Sequence, residues 1–172
     1  MSWTAEDTKK YESFTRKLGV LPWANRTLIE LTGKDRGKFL HNLCTADIKG
    51  LSPGKGSEAF LCNVQGKILA HLFVFCHDES LVLETVGGQA AALLPHLDKY
   101  LITEDVNIVD RTDGWEQWLL AGPEAPKFLA DHGVDLSSVS LDHYLDHCTA
   151  TNGWGISNVR HGGDPSYLIR CT

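Results

Sequence analysis

Two carboxamides separated by a single residue, Asn63 and Gln65, sit in the stretch Asn63-Val64-Gln65-Gly66-Lys67. An amide side chain carries both donors and an acceptor, so this pair can hydrogen-bond a ligand edge or simply close a polar hairpin turn. Thr45 and Asp47 form a second polar pair; the loop at the end of a helix explains them better than ligand contact does. His143 and His147 in Asp142-His143-Tyr144-Leu145-Asp146-His147 are four residues apart and would share a helical face, as metal ligands can. No Glu stands between them in the H-E-x-x-H manner, and surface histidines on a short helix fit better than a metal centre. No Ser/His/Asp order, P-loop or dinucleotide fingerprint stands out; Gly87-Gly88 lacks the required spacing. The five tryptophans fit core packing or an interface rim.

The chain that must hold these residues has 172 residues, enough for a core burying about 70% of the unfolded surface. Its 42% hydrophobic and 22% charged content is that of an ordinary globular protein. A formal net charge of -6 argues against duplex nucleic acid as main partner, because phosphate neutralisation needs clustered Lys and Arg. No apolar run reaches membrane-spanning length. From the polar N-terminus no secretory signal is expected, and Glu6 and Asp7 speak against a transit peptide. Five cysteines, mostly in apolar segments and without a C-x-x-C pair, predict a reduced, cytoplasmic protein.

The patterning predicts a first helix over residues 5–18, capped by Thr4 and stopped by Gly19, then a linker from Leu21 to Arg26. Leu28 to Leu31 is a buried strand. Gly33 breaks it, Asp35 caps a helix, and Phe39, Leu40 and Leu43 fall on one face. Strands follow at Glu58–Val64, Lys67–Cys76 and Leu81–Val86, with Gln65-Gly66 as a tight turn. The long strand is apolar on both sides, so it should be covered on both. A helix runs from Gly87-Gly88 to about Leu101, with Leu93, Leu94, Leu97 and Leu101 buried and Pro95 awkwardly inside it. Val106 to Val109 is a strand.

From about Trp115 the pattern returns. Gly122, Glu124, Lys127, Phe128 and Leu129 repeat Gly33, Asp35, Lys38, Phe39 and Leu40, each 89 residues on (122 minus 33). Five matches in one register mark an internal duplication. Pro123 is placed as the first helical residue and Gly133 as the stop. Leu141 to Cys148 is a short helix; Trp154 to Arg160 and Ser166 to Cys171 are strands joined by a Gly162-Gly163 turn. By the same offset Thr172 falls at Leu83, so the second copy stops before any equivalent of the helix at Gln89–Leu101. The expectation is an α+β fold of duplicated strand–helix–antiparallel-sheet subdomains with an incomplete second copy. Residues 1–26 are helix and linker, 27–112 the first subdomain and 113–172 a partial second. The unfinished copy also predicts the N-terminal part of a larger protein, or a shortened relative.

The segment from Leu28 to Asp110 resembles the folate-binding fold of the glycine-cleavage T-protein (aminomethyltransferase) and its YgfZ-type relatives. The family pattern of a strand followed by G-x-D-A-x-x-F-L-x-x-L-x-T-x-D-V appears as Gly33, Asp35, Phe39, Leu40, Leu43, Thr45, Asp47 and Ile48. The family's next strand, ending in N-x-x-G, appears as Asn63-Val64-Gln65-Gly66, then Lys67-Ile68-Leu69-Ala70, wording closer to the YgfZ branch. The resemblance implies tetrahydrofolate as ligand, with Asn63 and Gln65 against the pterin edge, Lys67 (and Arg111) near the glutamate tail, and Thr45 and Asp47 as further contacts. T-protein relatives release ammonia from an aminomethyl-lipoyl carrier and pass the one-carbon unit to folate; YgfZ-type relatives support assembly or repair of iron–sulfur enzymes.

Two departures bear on activity. The T-protein's acid at the helix after the third strand aligns with about Ala92, and a methyl group cannot exchange a proton. The K-G-C-Y-x-G-Q-E motif of YgfZ-type proteins does not occur. The resemblance therefore implies a folate-binding protein of YgfZ type with no catalytic residue assigned, supporting an iron–sulfur client. The alternatives are a divergent one-carbon transferase and a scaffold that has lost folate.

Overall fold

The computed structural model describes residues 4–150, 153–159, 161 and 165–171, and the chain divides into two compact units, 25–115 and 1–24 with 116–172. The turn expected at Gly162-Gly163 lies outside the described residues.

The chain opens with helix α1 (Ala5–Arg16), whose Thr4 N-cap forms a reciprocal capping box with Asp7. It ends before Leu18. The expected linker begins instead with strand β1 (Gly19–Pro22), because its backbone pairs with a later strand.

In residues 25–115, strand β2 (Arg26–Thr32) leads through Gly33 into the short helix α2 (Arg36–His41). Asp35 is the N-cap residue but its side chain does not cap; Oδ2 accepts the backbone N–H of Asp105 at 2.9 Å instead. Strands β3 (Gly56–Cys62), β4 (Ile68–Cys76) and β5 (Ser80–Val86) form a meander, followed by helix α3 (Ala90–Asp98) and strand β6 (Asn107–Asp110). The sheet is antiparallel in the order β3-β4-β5-β2-β6. Phe39 and Leu40 of α2 and Leu93 and Leu97 of α3 pack onto one sheet face, against Ile29, Leu31, Leu61, Leu72, Val74 and Leu83. Each such side chain contributes about 1.5–3 kcal/mol by burial.

The alternation expected in the long strand fails at its start. A register shift between Leu61 and Cys62 sets Leu61 opposite Ala70 and Cys62 opposite Ile68, so Leu69 is an extra residue. Ile68 is thereby turned outward, 55% exposed, while Ala70, Leu72, Val74 and Cys76 stay on the core face. On the other face Phe75 is buried and His71 exposed, so cover on both sides holds only for the far end of the strand.

In the second unit, strand β7 (Glu116–Ala121) runs through Gly122 into helix α4 (Ala125–Asp131), followed by β8 (His147–Thr149), β9 (Gly155–Val159) and β10 (Ser166–Cys171). The proline of the first helical turn is Pro126, not Pro123. Its sheet runs β8-β9-β10-β7-β1. That order repeats β3-β4-β5-β2-β6 strand for strand, with α4 answering α2. Among the described residues after β7 nothing answers α3 and β6; α1 and β1, from the start of the chain, take those places.

The pairing registers agree. Thr32 stands opposite Ser80 and Asn107, and its counterpart Ala121 opposite Ser166 and Gly19. Gly33 and Gly122 both have positive φ, +98° and +115°. The next polar residues donate their N–H groups alike, Asp35 to the Asp105 carbonyl (3.2 Å) and Glu124 to the Lys17 carbonyl (3.0 Å). Leu120, Leu129, Ile156, Tyr167 and Ile169 centre the second core.

Candidate functional site

A cleft of about 360 Å³ opens within residues 25–115, between the segment after α2 and the β3–β4 hairpin. Asn42, Leu43, Cys44, Thr45, Cys62, Asn63, Val64, Gly66 and Tyr100 line it. Backbone geometry builds this place. Cys44 lies opposite Leu61 in an isolated antiparallel bridge. On either side, Thr45 N–H donates to the Phe60 carbonyl and Cys62 N–H to the Leu43 carbonyl, both at 3.0 Å. The loop after α2 is thus laid along the sheet edge, and the hairpin turn stands beside it.

The turn itself is closed by Asn63. Its N–H donates to the Lys67 carbonyl (3.0 Å) and its carbonyl accepts from Gly66 N–H (2.9 Å). Gly66 supplies the positive φ, +76°, at no steric cost. Asn63 Oδ1 accepts the N–H groups of Gln65 (3.0 Å) and Lys67 (2.9 Å). Thr45 Oγ1 accepts Phe60 N–H at 3.0 Å. Among the described residues, no hydrogen bond within the protein engages the Asn63 amide nitrogen, the Asn42 carboxamide or the Tyr100 hydroxyl. These free groups around apolar walls are the pattern of a small-molecule site.

The Cys44 thiol in the wall is not poised as a nucleophile. Burial pushes the Cys44 thiol up, with a smaller upward push from Cys62 and a contact to the Ala46 carbonyl at 3.7 Å opposing. A protonated thiol is neither nucleophile nor good metal ligand at neutral pH. No charged side chain lines the cleft, so it favours the neutral part of a ligand. Cations stand outside it: Lys67 is exposed on the hairpin, and the Lys99 ammonium lies 5.5 Å from the Tyr100 ring centre.

Of the residues singled out in the sequence, the structure brings Thr45 and Asn63 together in the cleft. Gln65 and Lys67 are exposed on the adjoining turn. Asp47 faces elsewhere, its carboxylate 3.3 Å from His41 Nδ1 and accepting Gly50 N–H at 3.3 Å. Arg111 is engaged by Glu30 at 2.9 Å. Ala92 lies exposed on α3. The helix expected over Leu141 to Cys148 is absent. His143 sits exposed in a turn, whereas His147 is 3% exposed within β8, so the pair shares no helical face. Among the described residues, no group of three His, Cys, Asp or Glu side chains could hold a metal ion. Asn42 and Tyr100 carry no sequence signal; they follow the ends of two helices, and only the fold brings them to the hairpin.

Residues 2–155 match the family model described as GCVT N-terminal domain. An aminomethyltransferase of Clostridium botulinum is 29% identical over 170 residues, covering 94% of this chain and 45% of its own length. An "iron-sulfur cluster assembly factor IBA57 homolog, mitochondrial" of Phaeosphaeria nodorum is 31% identical over 127 residues, covering 67% of this chain and 30% of its own length. The fold is similar to the crystal structure of glycine cleavage system aminomethyltransferase T from Bartonella henselae, with TM-score 0.81 at 20% identity, over 94% of this chain and 44% of that one. The chain thus spans about half the length, or less, of these relatives. With the two-sheet α+β architecture and a family match over most of its length, the chain belongs to the family of the GCVT N-terminal domain.

Proposed function

We propose that this chain binds a reduced folate, tetrahydrofolate, with the ring of the ligand in the cleft beside Asn63. The observation that carries this reading is the cleft itself, neutral, apolar-walled and furnished with unengaged amide and hydroxyl groups. Its volume of about 360 Å³ suits a ring system, at the small end of ligand pockets. The tail would then run outward, within reach of Lys67 and Lys99. When bound, tetrahydrofolate supplies an acceptor for one-carbon units. The chain's own residues bind and orient it, and none of those lining the cleft is a charged acid or base.

The aminomethyltransferase relatives support folate as ligand class. The iron–sulfur cluster assembly relative supports a role beside an iron–sulfur client, and the reading assigns this chain no turnover of substrate. The alternative is a one-carbon transferase, which needs a proton-exchanging group that Ala92 cannot provide. Calorimetric titration with tetrahydrofolate tests the reading: saturable one-to-one binding is expected, weakened in Asn63→Ala. Absence of binding at high ligand concentration would overturn it, and ammonia release from an aminomethyl-lipoyl carrier would favour the transferase.

A further inference from the structure

The duplicated strands can be compared position by position. Leu31 pairs opposite Ile108, and its counterpart Leu120 opposite Val20, so Val20 answers Ile108. Two residues earlier in each strand, Trp118 answers Ile29. In the first unit Ile29 is 1% exposed and Ile108 packs against the same core, to which α3 contributes Leu93, Leu94 and Leu97. In the second unit Trp118 is 37% and Val20 50% exposed. Both lie on the sheet face of Leu120, the face that carries α4, because side chains two residues apart or directly opposite share a face. Pro22, opposite Trp118 and also exposed, extends the strip.

β1 stands in the place of β6, but α1 does not do for it what α3 does for β6. None of the residues of α1 is buried. Its Phe14 ring is committed to Gly19, where an added Cβ would lie 2.5 Å from it. Exposed apolar residues are ordinary when scattered singly; here they adjoin, and a leucine-bearing helix covers their counterparts. The chain's own helices do not fit the strip from a second copy. Phe39 and Leu40 of α2, Leu93 and Leu97 of α3 and Leu129 of α4 are held in their own cores, and the one large apolar side chain that α1 exposes is Tyr11.

We infer that Val20, Pro22 and Trp118 form a docking strip for an amphipathic helix of a separate polypeptide, with leucine-type side chains three and four residues apart as in α3. Such a helix lays its apolar face into a groove and is read by anchors at this spacing. Trp118 supplies the large aromatic surface that carries most of the binding energy at such contacts. The strip belongs to the second unit, so the inference holds whatever ligand the cleft in residues 25–115 takes.

The test is calorimetric titration of the full chain with a synthetic peptide of residues 88–101, the segment that contains α3. Saturable one-to-one binding is expected. Trp118→Ser should weaken it at least about tenfold, and so should serine at both Leu93 and Leu97 of the peptide. Val20→Lys, a half-exposed edge position, should weaken it likewise with the melting midpoint near wild type, which keeps the test decisive where Trp118→Ser loosens the sheet. Absence of binding, or binding unchanged by Val20→Lys and by the peptide serines, overturns the inference. Dimerisation of the chain in sedimentation runs, abolished by Val20→Lys, would give the strip to a second copy and overturn it too.

Discussion

Gly122 stands directly against the carbonyl of Lys17: a Cβ at Gly122 would lie 2.5 Å from that oxygen. The contact ties the start of the chain to the turn that opens α4. It has a twin in the first unit, where a Cβ at Gly33 would lie 2.2 Å from the Asp105 carbonyl. In both, the glycine combines positive φ with close backbone approach, two reasons that add. Gly122→Ala should therefore cost about 3 kcal/mol or more, from the left-handed backbone and the clash together. Gly66, at φ +76° with open space around it, meets only the first of these, so Gly66→Ala should cost about 1–2 kcal/mol. Urea unfolding of the two variants checks the order, and hydrogen exchange of the β1 amides should rise in Gly122→Ala. Equal losses would mean that the Lys17 contact does not hold the N-terminal arm.

A buried ion pair should outweigh an exposed one. Arg26 Nε donates to Glu84 Oε1 at 3.0 Å, and the Glu84 side chain is 0% exposed. Removing the guanidinium leaves a carboxylate in the sheet interior with less compensation, so Arg26→Ala should destabilise by about 3 kcal/mol. Arg111 pairs with Glu30 at nearly the same distance, 2.9 Å, but is 47% exposed. Water and salt screen that pair, and Arg111→Ala should cost under about 1 kcal/mol. Chemical denaturation in low and high salt separates the two: only the Arg111 pair should weaken noticeably with salt.

The N-terminal helix should be sensitive to acid. Asp7 Oδ2 accepts the Thr4 hydroxyl (2.6 Å) and the Thr4 N–H (2.8 Å), and these bonds hold its carboxyl below the usual aspartate range. A carboxyl depressed in the folded state stabilises it fully above the unfolded value and loses that contribution as pH falls through the folded one. None of the residues of α1 is buried, so its cap weighs heavily in its stability. Amide exchange of α1 should accelerate, relative to β4, as pH drops below the ordinary aspartate range. Asp7→Asn should remove that pH dependence; an unchanged profile in the variant would show that the cap does not control the helix.

Much of this arrangement is legible in the sequence because it is local. Gly33 and Gly122 each end a strand and start a helix, and the repeated Phe39-Leu40 and Phe128-Leu129 face the cores as periodicity requires. What escapes is non-local. Gly19–Pro22 carries no strand signal of its own and becomes one only by pairing with β7. The spacing of His143 and His147 suits a helix, but His147 pairs opposite Ser157 in a sheet formed from distant residues. Strict alternation puts Ile68 on a buried face, and a bulge at Leu61/Cys62 breaks that alternation. Asn63 and Thr45 stand out through their turn and loop chemistry; Asn42 and Tyr100 join them only through the packing of α2 and α3.

The thiols in the cleft wall offer a way to locate the ligand without altering any residue. Burial raises the Cys44 thiol, so alkylation by iodoacetamide at neutral pH should be slow there. A ring seated beside Asn63 would cover both Cys44 and Cys62, since both line the same cleft. Cys171 belongs to β10 of the other unit and serves as an internal reference. Saturating tetrahydrofolate should lower the labelling rates of Cys44 and Cys62 several-fold and leave Cys171 unchanged, as read by peptide mass spectrometry. Protection of Cys171 with Cys44 and Cys62 left open would move the ligand out of this cleft while keeping it on the protein. Uniform slowing of all three would indicate general tightening of the fold by mass action, which binding at any site produces.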